Sequence, residues 1–507
     1  MFASIPSAVL FGARGHRVTV EVHVAKGLPG FHVVGLPDES IREARDRVRA
    51  AVMSSGATWP DTKVTVNLAP SQQRKSGSGL DLAIAVGVLA ASGQVPVEAV
   101  ARLALIGELG LDGSVRSVTG VAPMAGVLAD LDIVVPVERA HEAWVVSDAR
   151  VRPIRHLVEL IDVFHDRAPW PDHDVRVVGL DRPHDPDLAD VVGQPMARRA
   201  LEIAAAGGHH CLFVGPPGSG KTMLAARLPG LLPTLARDDA LEVTMIHSAA
   251  GVSLPPEGLV TRPPYRAPHH TSSETSIVGG GSHSLRPGEI SIAHCGVLFM
   301  DELPEFNPKV MDTIRQPLED GEVRVGRATQ HATIPSRFQL VAAMNPCPCG
   351  EGGRPGGCEC GEARVAKYSG RVSGPLLDRF DLRVRVERPV VDDLLSGARG
   401  ESSAVVAARV AAARTRAIER QGSVNAALSA VDLDVVAPLH PAALALLRNE
   451  IERGRLSGRG YHRVRRVART IADLADLPGD EIDDATVALA LEMRTSARPV
   501  RSSSVVA

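Results

Sequence analysis

The stretch Gly215-Pro216-Pro217-Gly218-Ser219-Gly220-Lys221-Thr222 constrains this chain more than any other, because it fits the pattern G-x-x-x-x-G-K-[ST] at every position. Cys211-Leu212-Phe213-Val214 before it is an apolar run of strand length. Met223-Leu224-Ala225-Ala226-Arg227-Leu228 after it reads as a helix. A strand that turns through glycines into a helix can wrap backbone N–H groups around a phosphate and aim a helix N-terminus at it. In such a loop Lys221 reaches the β- and γ-phosphates of a nucleotide, and the Thr222 hydroxyl holds Mg²⁺. The fold class that follows is α/β, with the loop at the carboxyl end of a parallel strand.

The rest of the chain must supply several further cores. At 507 residues it is too long for one, and about two to four domains are expected. Net charge is −3, so a nucleic-acid contact would need a local basic patch. Aromatics at 3% argue against base stacking as the main contact mode. No apolar run approaches the ~18 residues of a membrane span, and no basic segment precedes the short apolar N-terminus. A soluble, cytoplasmic protein without a membrane partner is expected. Six cysteines in this length are not a disulfide framework.

Residues 1–168 alternate strand patterns, such as Val18 to Val24 and Val64 to Leu68, with a helix that places Ile41, Ala44, Val48, Ala51 and Val52 on one face. Ser40 and Glu43 fit a capping box for that helix, and Gly56 can end it. Residues 169–186 are rich in Pro, Asp and His and read as a linker. Residues 187–392 hold the phosphate loop. Residues 393–495 are rich in Ala, Leu, Val and Arg, with helical periodicity and no strand signal. The Ser-rich tail, 496–507, has the composition of a disordered end.

Roughly 80 residues after the loop, Val297-Leu298-Phe299-Met300 runs into Asp301-Glu302. A buried strand would deliver both acids to its carboxyl tip, where Asp301 orients Mg²⁺ and Glu302 polarises the attacking water. A third strand, Gln339 to Met344, ends at Asn345, whose amide can hold that water or sense the γ-phosphate. Arg379, between a helix and a strand, matches the arginine that ring ATPases lend to a neighbour's nucleotide. Arg453, Arg455, Arg459, Arg463, Arg465, Arg466 and Arg469 crowd seventeen residues, and Ser457-Gly458 can open a helix there.

These residues together resemble the AAA+ ATPases of magnesium-chelatase type, and the whole chain resembles the YifB/ComM family. The strings that carry the resemblance are Gly193-Gln194, Arg266 to Thr271, Val278 to Gly281, Ala343 to Gly350, Leu377 to Asp381, and Val467 to Leu474. The resemblance implies Walker A at Gly215–Thr222 and Walker B at Asp301 and Glu302. It implies sensor 1 at Asn345 and a trans-acting finger at Arg379. Arg459 takes the sensor 2 role, with Arg463 as the alternative. It further implies ATP and Mg²⁺ as cofactors and a homo-hexameric ring that moves DNA, with branch migration in recombination or natural transformation as the task.

Residues 1–168 resemble the Lon-type protease domain of that family. Matching Lys75 to Asp81 to the serine loop puts Gly79 where the nucleophile belongs. Matching Thr119 to Ala122 to the lysine segment puts Ala122 where the base belongs. Ser76 and Ser78 lie nearby without a matched lysine, so the domain is expected to be non-proteolytic.

Asp320 to Ile334 reads as two short strands around a Gly-Arg turn. Related replicative helicases carry a pore hairpin there, and Arg324 and Arg327 would then touch DNA phosphates without reading sequence. Arg266 to Arg286, rich in Gly and His, would be an insertion near the same channel. Cys347, Cys349, Cys358 and Cys360 form C-x-C, eight residues, C-x-C, with a glycine-rich connection, a set of thiolates suited to tetrahedral Zn²⁺. The alternatives to a DNA motor are a magnesium-chelatase ATPase subunit and a protein-remodelling ring. The protease-like region and the cysteine loop are expected to disfavour the chelatase reading, and Arg324 and Arg327 suit phosphate better than polypeptide.

Overall fold

In the computed structural model, placement is described for residues 1–71, 75, 77–147, 150–173, 186–281, 285–327, 330–352, 358–389, 392, 395, 399–477, 479 and 481–495. Ser76, most of the expected linker, the C-terminal tail and the side chains of Arg42, Arg327, Gln330 and Thr495 lie outside that description.

Five parallel strands form the central sheet, in the order Tyr265–Arg266, Val297–Met300, Gln339–Met344, Cys211–Val214, Leu382–Arg385. The inner runs Cys211–Val214, Val297–Met300 and Leu340–Met344 are wholly apolar because both faces are covered. Cys211, Phe213, Val297, Phe299, Val341 and Ala343 point into a core shared with the helices of the C-terminal region. Leu212, Val214, Leu298, Met300, Leu340 and Ala342 point the other way, against Ile277, Phe306, Val310 and Phe380. The period-2 alternation of the strand therefore joins two cores through one sheet. Beyond residue 400, the described elements are helical, chief among them Ser403–Gln421, Pro441–Glu452, Gly458–Leu474 and Asp484–Thr495. Ser457 caps the helix Gly458–Leu474 through Gly460 N–H, as its position before the glycine suggested.

The N-terminal region has its own core around a four-stranded sheet ordered Phe2–Phe11, Arg14–Ala25, Lys63–Ala69, Gly30–Val34. A second, three-stranded parallel sheet comprises Leu103–Leu105, Asp132–Pro136 and Val151–Ile154. The helix Glu39–Ser54 is capped by Asp38, which accepts from Ile41 N–H at 3.0 Å. That corrects the expected Ser40–Glu43 box: the carboxylate two residues earlier meets the free N–H first, and Ser40 is already inside the helix.

The N-terminal region docks onto the nucleotide region through polar and apolar contacts. Ala122 N–H donates to Ser248 Oγ at 3.2 Å, and that hydroxyl bonds the buried Glu142. The turn at Gly12 and Ala13 rests on Ala332 and Ile334 of the antiparallel hairpin Glu322–Arg327 and Gln330–Pro335.

A polar network ties the helical region to the base of the sheet. The buried Asp381 carboxylate accepts from Arg463 and from His210 N–H at 3.3 Å, and lies 3.4 Å from His209 Nδ1. Burial alone would raise its pKa, but the close approach of His209 and the charge of Arg463 hold it well below the carboxylate range. Burial pushes the His210 imidazole down to about 4 from 6.5, and its Nδ1 accepts from Leu340 N–H at 3.0 Å. The sign is the same for both groups. The unfolded chain binds more protons than the native one, so stability is present at neutral pH. It is lost as pH falls from 6.5 toward 4 for His210, and lower still for Asp381. Urea unfolding should therefore show a midpoint that drops between pH 6.5 and pH 4; His210→Asn should flatten that drop, and a pH-independent midpoint would refute the assignment. Asp381→Ala, which leaves the partly buried Arg463 without its carboxylate partner, should cost about 3–5 kcal/mol at neutral pH.

Candidate nucleotide site

The sheet brings the sequence-selected groups together at its carboxyl edge. The loop Gly215–Thr222 is pinned to neighbouring strands by Gly215 N–H to Met344 O at 3.1 Å, and the strand before it by Val386 N–H to Val214 O at 2.9 Å. Gly220 holds φ +89° at the start of the helix Lys221–Arg227, a conformation side chains with Cβ rarely adopt. Lys221 Nζ donates to Gly215 O at 2.8 Å, Pro216 O at 2.9 Å and Asn345 Oδ1 at 3.2 Å. Burial lowers the lysine pKa, and the carboxylates of Asp301 and Glu302 oppose that shift. Thr222 Oγ1 donates to Asp301 Oδ2 at 2.7 Å. Asp301 Oδ1 accepts from Glu302 N–H at 2.9 Å.

Two features mark the site as built for an anion and its counter-ion. Ser219 Oγ is buried in the loop's interior with no hydrogen-bond partner among the described residues. The Thr222 hydroxyl and Asp301 carboxylate are adjacent hard oxygens of the kind Mg²⁺ prefers. The residues present therefore fit a Mg²⁺–nucleotide: Lys221 and loop N–H groups for phosphate, Thr222 and Asp301 for the ion.

Glu302 projects from a left-handed backbone at φ +52°, with its side chain about half exposed. Its carboxylate lies 3.5 Å from His270 Nδ1, and His270 stacks on His269 at 4.1 Å between centroids. These histidines lie in the Gly- and His-rich stretch Arg266 to Arg286, and their contact with Glu302 is not legible in the sequence, because a turn roughly 30 residues upstream reaches the acid only through the tertiary fold. Gln194, also left-handed at φ +57°, donates to Ser219 O at 3.3 Å and explains the Gly193-Gln194 string ahead of the loop.

Arg379 is 8% exposed and pairs with Glu319. Burial, and then the charges of Arg463, Arg459 and Arg315, lower its pKa, so cationic charge accumulates around it. Arg459 is exposed on the first turn of its helix. Arg463, the alternative to it, is engaged by Asp381 and Arg379 O. Arg465 and Arg469 are buried and tied to Asp434 and Asp473, so part of the arginine cluster holds the helices together.

Arg324 stands on the hairpin with its side chain 66% exposed and bonds Glu322 at 2.7 and 2.9 Å. The Arg327 side chain lies outside the described atoms. The sulfurs of Cys347, Cys349, Cys358 and Cys360 all lie within 4.8 Å of one another. In the N-terminal region, Gly79 faces Val118, Ser78 bonds Glu108, and the fully buried Lys75 donates to Pro70 O. The described residues thus bring no lysine to Ser78.

Among the described residues, no helix is long and apolar enough to cross a membrane. Residues 187–394 match a family model described as magnesium chelatase, subunit ChlI, and residues 400–494 match its C-terminal counterpart. Residues 20–139 match a model described as subunit ChlI of Mg-chelatase, so the N-terminal region does not by itself set the chain apart from chelatase subunits. A Mycobacterium tuberculosis protein of uncharacterised role is 45% identical over 97% of this chain and 98% of its own length. The competence protein ComM of Haemophilus influenzae is 41% identical over 93% of this chain and 94% of its own. YifB of Escherichia coli is 41% identical over 91% of each. This chain belongs to the YifB/ComM family of magnesium-chelatase-like AAA+ proteins.

Proposed function

We propose that this protein is an ATP-hydrolysing ring motor that acts on DNA, as a branch-migration helicase in recombination or natural transformation. The observation that carries the ATPase half is the convergence of Lys221, Thr222, Asp301 and Asn345 at one edge of the parallel sheet. In this reading Lys221 and the loop amides bind the phosphates. Thr222 and Asp301 would hold Mg²⁺, which would supply positive charge beside the transferring phosphoryl group. Glu302, oriented by His270, polarises the attacking water, and the Asn345 amide fixes its position. Arg379 serves the neighbouring subunit's nucleotide in a homo-hexamer, and Arg459 closes over the phosphates from the helical region. Four cysteines holding a structural Zn²⁺ complete the set of ions.

The DNA half is supported by the exposed hairpin arginine and by the competence role in the name of the Haemophilus relative. Arg324, and Arg327 three residues on in sequence, would contact phosphates as the strand passes the pore. Arg324 already has Glu322 as a partner, so DNA must compete with that pair, and its contribution should be strongly salt-dependent. The 1–168 region then serves as a non-proteolytic collar, seated on the hairpin through Gly12 and Ala13.

The decisive experiment is the ATPase rate with and without a four-way junction, single strands and duplex. Stimulation by branched DNA is expected. Equal rates with and without every DNA would favour a chelatase-like or protein-remodelling role. Glu302→Gln should bind ATP normally and hydrolyse it about 10²–10⁴-fold more slowly. Arg379→Ala should bind nucleotide yet lose turnover by about 10³-fold, and mixing with Lys221→Ala subunits should restore part of it. Absence of rescue would argue for a role in its own subunit. Arg324→Ala should weaken DNA binding on all sequences alike and reduce the salt slope by about one.

A further inference from the structure

The cysteine cluster does more than close a loop, because the loop it closes is seated on the phosphate loop. Three sulfur pairs are 3.2 Å (Cys347–Cys349), 3.6 Å (Cys347–Cys358) and 3.5 Å (Cys349–Cys358). Four thiolates around one tetrahedral Zn²⁺ at ~2.3 Å stand about 3.8 Å apart, close to this spacing. Cys347 is buried and follows Asn345 by two residues, so the cluster begins where the amide at the lysine ends.

From Cys347 the chain turns at Gly350, whose N–H donates to Cys347 O at 3.0 Å. Gly350 has φ +83°, and a Cβ there would stand 2.5 Å from Cδ of Pro217. Only glycine lets the turn press this closely on the phosphate loop. Arg388 adds a second tie: its Nε donates to Pro217 O at 3.4 Å while its other end pairs with Glu351. Pro217 is therefore held between the turn of the cysteine loop and an arginine bridged to that same turn.

We propose that a zinc ion bound by Cys347, Cys349, Cys358 and Cys360 braces the phosphate loop through Gly350 and the Arg388–Glu351 bridge, so that metal occupancy sets nucleotide affinity. This rests on the nucleotide-site reading above. Without the ion, nothing covalent or metallic fixes the turn carrying Gly350 and Glu351. The phosphate loop then pays the ordering cost on binding.

The test uses the full chain carrying Glu302→Gln, purified under reducing conditions without added metal. Zinc per chain is measured by plasma mass spectrometry, and affinity is measured with a fluorescent ATP analogue. One zinc per chain is expected, lost in Cys358→Ser, with affinity weakened about tenfold. Arg388→Ala should keep its zinc and still weaken binding several-fold. If Cys358→Ser fails to fold, zinc is stripped from the Glu302→Gln chain with a mercurial and a chelator, then restored; affinity should fall and recover. A chain that holds no zinc and takes up none overturns the metal site. Zinc that can be removed with no change in affinity overturns the brace while leaving the metal in place. Failure of every form to bind the analogue would instead sink the nucleotide site on which the proposal rests.

Discussion

The buried carboxylate of Asp381 is the point on which the nucleotide region depends. It sits beside the first residue of the last strand of the parallel sheet. It receives the backbone N–H of His210 just ahead of the phosphate-loop strand, lies beside His209, and pairs with Arg463 from the helical region. Arg494 of the last helix donates to the neighbouring Phe380 O. A charge this enclosed is tolerated only when fully partnered. Satisfying it fixes the sheet, the long helix Gly458–Leu474 and the last helix in one arrangement. Arg379 and Arg459 inherit their positions from it, one two residues before Asp381 and the other one turn before Arg463.

The opposite end of the sheet shows the complementary logic. Apolar strands end where polar chemistry begins, and the loop, the acids and the amide meet there because parallel strands all present their carboxyl ends on one side. Around this edge the chain adds supports from distant segments: His270 on Glu302, Gln194 on Ser219, Gly350 and Arg388 on Pro217. The N-terminal region grips the same body from another side, at the hairpin and the helix Arg237–Ala250.

Much of this was legible in the sequence where local chemistry and period agree. Phosphate-loop glycines between a strand and a helix have one geometry that works, so Lys221, Thr222, Asp301 and Asn345 could be named in advance and are found together. Ser457 as a cap followed from the same local reasoning. The capping of Glu39–Ser54 was misassigned because Asp38 and Ser40 both offer an oxygen, and only the backbone path selects between them. The arginines of 453–469 looked like one basic cluster, yet Arg465 and Arg469 are interior ties. A helical repeat places Asp473 one turn beyond Arg469 on the same face, but it does not show that Arg465 meets Asp434 of a separate helix.

The sequence by itself determined the parallel α/β core, the residues gathered at its carboxyl edge and the four cysteines, because each rests on contacts within a few residues or on a repeat of two or 3.6. Tertiary structure alone decided the long-range partners. It put Glu319 on Arg379, His270 beside Glu302, the turn at Gly12 against the hairpin and Gly350 against the phosphate loop. These contacts depend on how separate elements pack, and packing is fixed by shape and burial summed over the whole chain, which no local pattern encodes.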